Sequence, residues 1–224
     1  MNTSIIRNAL LSLAILGSTS VSAVTYSFQQ LNDNNNANVG VGGSNQLLVD
    51  ITDISGDVNF TFTNNVGTSS SITAVYFDDL EEDGLFDDIS NDVLGASGEN
   101  GDVSFSDDAT PGNLPQGNSI GFSADFSGDS ASPPIPNGVN DAGEFVRFLG
   151  ELDDDTSFNA VIAAITSGDF NIGLSVQSNQ GRGADRYVLS VPGDGGPSEV
   201  PLPAAAWLFG SALLGFAGFK RKNA

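Results

Sequence analysis

The stretch DDLEEDGLFDD at residues 78–88 packs carboxylates closely enough to do metal chemistry. Asp79, Glu81, Asp83 and Gly84 fall at positions 1, 3, 5 and 6 of a twelve-residue calcium loop, and Asp87 adds a carboxylate further on. Position 12 then falls on Ser90, where such loops place a bidentate Glu. Two readings follow: a solvated acidic turn after a strand, or a weak Ca2+ site of the millimolar class found in extracellular modules. DDDTS at residues 153–157 also invites a metal, but acids ahead of a helix are explained more economically by capping and the helix dipole. Asp125 and Asp129 have the spacing to act as paired glycosidase carboxylates, a chance arrangement in so acidic a chain.

What is missing narrows the chemistry further. The chain has no Cys and no His, so it cannot build Ser-His-Asp or Cys-His nucleophiles or a His-ligated zinc. A metal-dependent hydrolase with oxygen ligands remains as a third-ranked reading, behind non-enzymatic roles. Of the seven basic residues, Arg7 lies near the start and three lie at the end, leaving Arg147, Arg182 and Arg186 to face all 28 acids, a net charge of −25 for the region between. Such a field repels phosphate backbones, so no nucleic acid is expected and soluble cations are favoured. The three arginines read as local offsets to acid crowding. Without disulfides, the fold must rest on its apolar core.

Period-two alternation dictates the elements that carry these residues. Val24, Tyr26 and Phe28 share one face of a strand, as do Leu47, Val49 and Ile51, and then Val58, Phe60 and Phe62. SITAVYF at 71–77 is apolar on both faces, as a central strand would be. SIGFSADF at 119–126, EFVRFLGEL at 144–152, FNIGLSVQS at 170–178 and RYVLSV at 186–191 complete a set of about eight strands. One segment has helical period instead: Phe158, Val161, Ile162 and Ile165, with Thr156 or Ser157 as N-cap and Gly168 as the stop. The fold class predicted is all-β, an antiparallel β-sandwich of jelly-roll or Ig-like type over residues 24–191, with one short helix on the edge of a sheet. Residues 192–199 read as a flexible linker.

The two ends carry targeting patterns. Residues 1–23 have one cation, a short apolar run and then Val21 and Ala23 at the positions a signal peptidase inspects, so cleavage is expected after Ala23. Residues 200–224, VPLPAAAWLFGSALLGFAGFKRKNA, join a proline motif to an uncharged run and a basic stop at Lys220, Arg221 and Lys222. As a helix, the uncharged run of about 16 residues spans roughly 24 Å, short for a bilayer core of about 30 Å.

This tail resembles the sorting signal of PEP-CTERM proteins in its VPLPA variant: Val200, Pro201, Leu202, Pro203 and Ala204, then a transmembrane helix and the basic end. Leu202 stands where the family motif proper has Glu. The resemblance implies export in a Gram-negative bacterium, processing by exosortase and an association with exopolysaccharide and biofilm. It makes signal peptidase and exosortase the processing partners and the inner membrane a way station to the cell surface or matrix. SITAVYFDD, NLPQGN and NIGLSVQS are also similar to segments of uncharacterised PEP-CTERM proteins, in which glycine often replaces Gln116 and histidine replaces Ser175. The function expected is a non-enzymatic surface or matrix protein, with a carbohydrate-binding or calcium-binding module as the alternative.

Overall fold

The computed structural model describes residues 22–32, 46–65, 69–80, 84–92, 103–178 and 183–190, and the structural statements that follow concern these. They form ten strands: β1 (Ala23–Asn32), β2 (Leu47–Asp53), β3 (Val58–Asn64), β4 (Ser70–Asp79), β5 (Phe86–Asn91), β6 (Phe105–Asp107), β7 (Phe126–Ser130), β8 (Phe145–Leu152), β9 (Phe170–Ser178) and β10 (Ala184–Leu189). Two helices accompany them, the single turn α1 (Pro134–Asn137) and α2 (Phe158–Ser167). All strand pairs are antiparallel, in the order β5-β8-β3-β2-β1-β10-β9-β4-β7-β6.

The long first strand makes this one sheet. Its first half pairs with β2, from Ala23 opposite Thr52 to Ser27 opposite Leu48, and its second half pairs with β10 from Phe28 onward. The sheet curls until its two ends meet, with β5 lying against β6 and β7. Across that seam the Asn91 N–H donates to the Asp107 carboxylate at 2.6 Å. The result is an all-β, nearly closed barrel, which covers most of the backbone edges an open sheet would expose.

Alternation delivers the barrel's interior. Leu47, Val49, Ile51, Val58, Phe60 and Phe62 all face inward and are buried. Phe60 lies opposite Phe148 across the β3–β8 pair, and Phe77 opposite Ile172 across β4–β9. Phe77 sits at the centre of an aromatic cluster, its ring centroid 5.2 Å from Phe60, 6.0 Å from Phe62, 5.4 Å from Phe148 and 6.4 Å from Phe170. The tilted and edge-on arrangements are those the aromatic quadrupole favours.

Helix α2 is the element predicted from its 3.6-residue period. Ser157 caps it, its Oγ accepting from Ala160 N at 3.3 Å, and Gly168 at φ 89 ends it by donating to the Ala164 carbonyl. Phe158, Val161, Ala164 and Ile165 join the barrel's apolar cluster, so the helix covers the interior; Ile162 is half-buried beside it. The aspartates ahead of it do not cap it. Asp153 instead accepts from Asp155 N in a local turn.

Three segments differ from the expectation. SIGFSADF is not a continuous strand: Gly117–Ile120 forms a 3-10 turn, Gly121 sits at φ 81, and β7 begins only at Phe126. Ile120 is consequently exposed while Phe122 is buried. β5 lies hidden in the acidic stretch, with Phe86 and Ile89 inward and Asp87 and Asp88 outward. β6 is too short for alternation to register.

The segment between β6 and β7 folds back over the outer face of the sheet. Leu114, Phe122 and Ala109 cover Ala74 and Tyr76 of β4 and Val188 of β10, so β4 is buried on both faces as its composition predicted. The approach is close: a Cβ on Gly173 of β9 would meet Leu114 Cδ2 at 2.8 Å. Gln116 turns this segment at φ 69, a left-handed backbone that glycine would adopt without strain.

Because Phe77 touches four rings from three other strands, Phe77→Ala should cost about 3–5 kcal/mol in urea unfolding, and Phe77→Leu less than half of that. Equal, small losses for both variants would show that the aromatic cluster is not the centre of the core.

Candidate functional site

The residues singled out in the sequence are widely scattered. Val200, Pro201, Leu202, Pro203, Ala204, Lys220, Arg221, Lys222 and Val21 lie outside the described residues, as do Glu81 and Asp83. Ala23, the expected cleavage position, is the first residue of β1 and is exposed. Asp79 braces the backbone around it. Its Oδ2 accepts from Leu85 N, and its own N–H donates to Asp125 Oδ2 at 2.8 Å. Asp87 is exposed on β5. Among the described residues no group of three or more acids is placed to hold a metal ion. Asp125 and Asp129 likewise serve separate backbone donors, Asp79 N and Thr110 N.

The acidic stretch does contain one unusual group. Asp78 is 2 % exposed, held under the β6–β7 segment with its Oδ2 accepting from Ser123 N at 3.0 Å. Its Oδ1 is buried with no hydrogen-bond partner. Burial pushes this carboxyl above the ordinary range, the Ser123 N–H pulls it back, and the charges of Asp125 and Asp79 push it up again.

A cleft of about 300 Å³ opens on the outer face of the sheet, beside the folded-back segment. A row of directly opposed residues runs across it: Arg186 of β10 faces Ser175 of β9, Ser175 faces Ala74 of β4, and Ala74 faces Asp129 of β7. Residues opposed in an antiparallel ladder share a face. Three inter-strand steps of about 4.8 Å therefore set the Arg186 and Asp129 backbones roughly 14 Å apart, with the small Ser175 and Ala74 as the floor between them. Pro111, Pro115 and Pro134 contribute to the walls.

Arg186 and Tyr76 perturb each other in this cleft. Burial pushes the Tyr76 hydroxyl up to about 12; nearby Arg186 opposes that rise and Asp129 adds to it. Burial also depresses Arg186, while Tyr76 and Asp185 support its charge. The Arg186 Nη1 donates to the Asp185 carbonyl at 3.2 Å, but its buried Nε finds no acceptor. Arg147 fits its expected part as a local offset, pairing with Asp92 at 3.6 Å, although its own buried Nε also finds no acceptor. Arg186 was visible in the sequence as a rare cation on a strand, but its alignment with Asp129 depends on a register across four strands.

The Asp78 environment yields a test with a definite sign. Its folded value lies above its unfolded one, so its contribution to stability is greatest below the unfolded value of about 4 and is lost as the pH rises through the folded value. Asp78→Asn keeps an oxygen for the Ser123 N–H and removes the buried charge. Its melting temperature at about pH 7 should match or exceed wild type, with the advantage shrinking toward about pH 4. Asp78→Ala, which orphans that N–H, should lose about 1–2 kcal/mol. An Asn variant as unstable as the Ala variant at neutral pH would contradict this reading of the carboxyl.

No protein-family model, no curated protein and no solved structure matches this chain.

Proposed function

We propose that this chain is a non-enzymatic exported protein of the cell surface or extracellular matrix, sorted and processed by exosortase. Residues 1–23 direct export; residues 200–224 hold the chain in the inner membrane until exosortase cuts near Val200 to Ala204. The observation that carries this reading is the succession within one chain of a signal-type N-terminus, an acidic all-β domain, and a tail that resembles the VPLPA form of the PEP-CTERM signal. Within the domain, we read the two halves of the curled sheet as the two layers of a sandwich, hinged where β1 leaves β2 for β10.

The physical role proposed is that of a rigid polyanion. A domain with three arginines against 26 acids, the chain's 28 less Asp194 and Glu199 of the linker, concentrates soluble cations around itself and, through them, bridges to other matrix polymers. Gln116 lends support to the second, internal resemblance, because its left-handed backbone suits the glycine that the similar proteins often carry there.

Mass spectrometry of the C-terminus in wild-type and exosortase-deficient cells tests the sorting. A chain shortened near residues 200–204 is expected only in the wild type. An intact tail in both strains would make the segment a permanent anchor and end the proposal.

A further inference from the structure

The cleft between Arg186 and Asp129 has the features of a binding site. Its floor is made small by Ser175 and Ala74, one wall carries a cation and the other an anion, and the volume of about 300 Å³ lies at the lower end of the range for small-molecule pockets. Arg186 has spent Nη1 on the Asp185 carbonyl and keeps a buried Nε–H with no acceptor. Arg186 lines the cleft, and a carboxylate is the acceptor whose planar geometry suits a guanidinium best.

The opposite wall narrows the ligand class. Asp129 already accepts from Thr110 N at 3.0 Å, and as a carboxylate it retains further acceptor capacity for hydroxyl donors. With the two backbones roughly 14 Å apart and both side chains lining the cleft, a ligand seated between them can meet a cation at one end and an anion at the other. The proline rings in the walls offer flat apolar surfaces to a ring's C–H faces. We infer that this cleft binds a sugar acid, its carboxylate on Arg186 and its ring hydroxyls directed to Asp129 and Ser175, with room for about one pyranose unit. Burial already disfavours the charge on Arg186, and a bound carboxylate would offset that cost. The inference concerns the domain alone and holds or fails whatever happens to the tail.

The test is titration of the full chain, purified in detergent, with D-galacturonate, with galactose as the neutral ring of the same shape, and with a galacturonate trimer. Saturable calorimetric binding of galacturonate is expected, with galactose at least about tenfold weaker. Arg186→Gln should lower galacturonate affinity by about tenfold or more, with Arg186→Lys in between, since lysine keeps the charge without the planar donor edge. Should the Gln variant not fold, amide chemical shifts of the wild type decide: galacturonate must move Arg186, Ser175 and Asp129 together, and galactose must not. The trimer binding with the same shifts would identify a polysaccharide as the source, and the monomer binding more tightly would identify a free sugar acid. Equal affinity for galactose and galacturonate, shifts mapping elsewhere, or no saturation by any of the three probes would overturn the assignment.

Discussion

The packing of phenylalanine rings inside the curled sheet is the interaction on which everything else depends. Phe60, Phe62, Phe77, Phe148 and Phe170 come from four strands, yet their neighbouring centroids lie 5.2 to 6.4 Å apart. Each fully buried ring contributes about 1.5–3 kcal/mol from apolar area alone, with a further increment from aromatic geometry. Buried aliphatic side chains such as Val49, Ile51, Ile72, Ile172 and Leu174 pack into the same cluster. The domain has no cysteine for a disulfide, and its three arginines can neutralise few of its 26 acids. A net charge of that size opposes compaction, so the interior must outweigh it.

That interior also explains how a second surface becomes available outside. Because β4 is held through Val75 and Phe77 on one face, its other face is free to receive the segment that carries Leu114 and Phe122. The segment buries Tyr76 and Asp78 and leaves a cleft at its margin, where β10, β9, β4 and β7 line up their outward residues. A cation and an anion are thus fixed on a rigid sheet rather than on loops, and their separation follows from strand spacing. Asp78, buried beneath the same segment with one oxygen unpartnered, marks where this second layer was laid over the sheet at some cost in stability.

Much of the frame was legible in the sequence, for a physical reason. A strand with one face on a core must alternate, and Leu47 to Ile51, Val58 to Phe62 and Phe170 to Val176 do so without exception. The helix was equally plain, since Ser157 and Gly168 supply both of its ends. β5 escaped notice because acids occupy its outward positions, and the sequence reads there as a turn. SIGFSADF misled for the opposite reason. Its alternation is real, but Phe122 faces the outer cluster across a turn, so the period reflects two separate burials and no strand. The cleft was hidden more deeply. Arg186, Ser175, Ala74 and Asp129 are distant in the chain, and only the pairing register puts them in one row. The acidic stretch drew attention as a calcium loop, while the described part of it spends its carboxylates on backbone donors and on surface exposure.

The central claim is that an apolar, aromatic interior holds together a domain whose charges push it apart. Thermal unfolding of the chain across monovalent salt, from about 10 mM to about 0.5 M, tests it most directly, because salt screens charge while leaving apolar burial in place. The account predicts one cooperative transition whose midpoint rises with salt, equally in sodium and potassium chloride. A midpoint that falls as salt is added would mean that attractive ion pairs support the fold, and would contradict it.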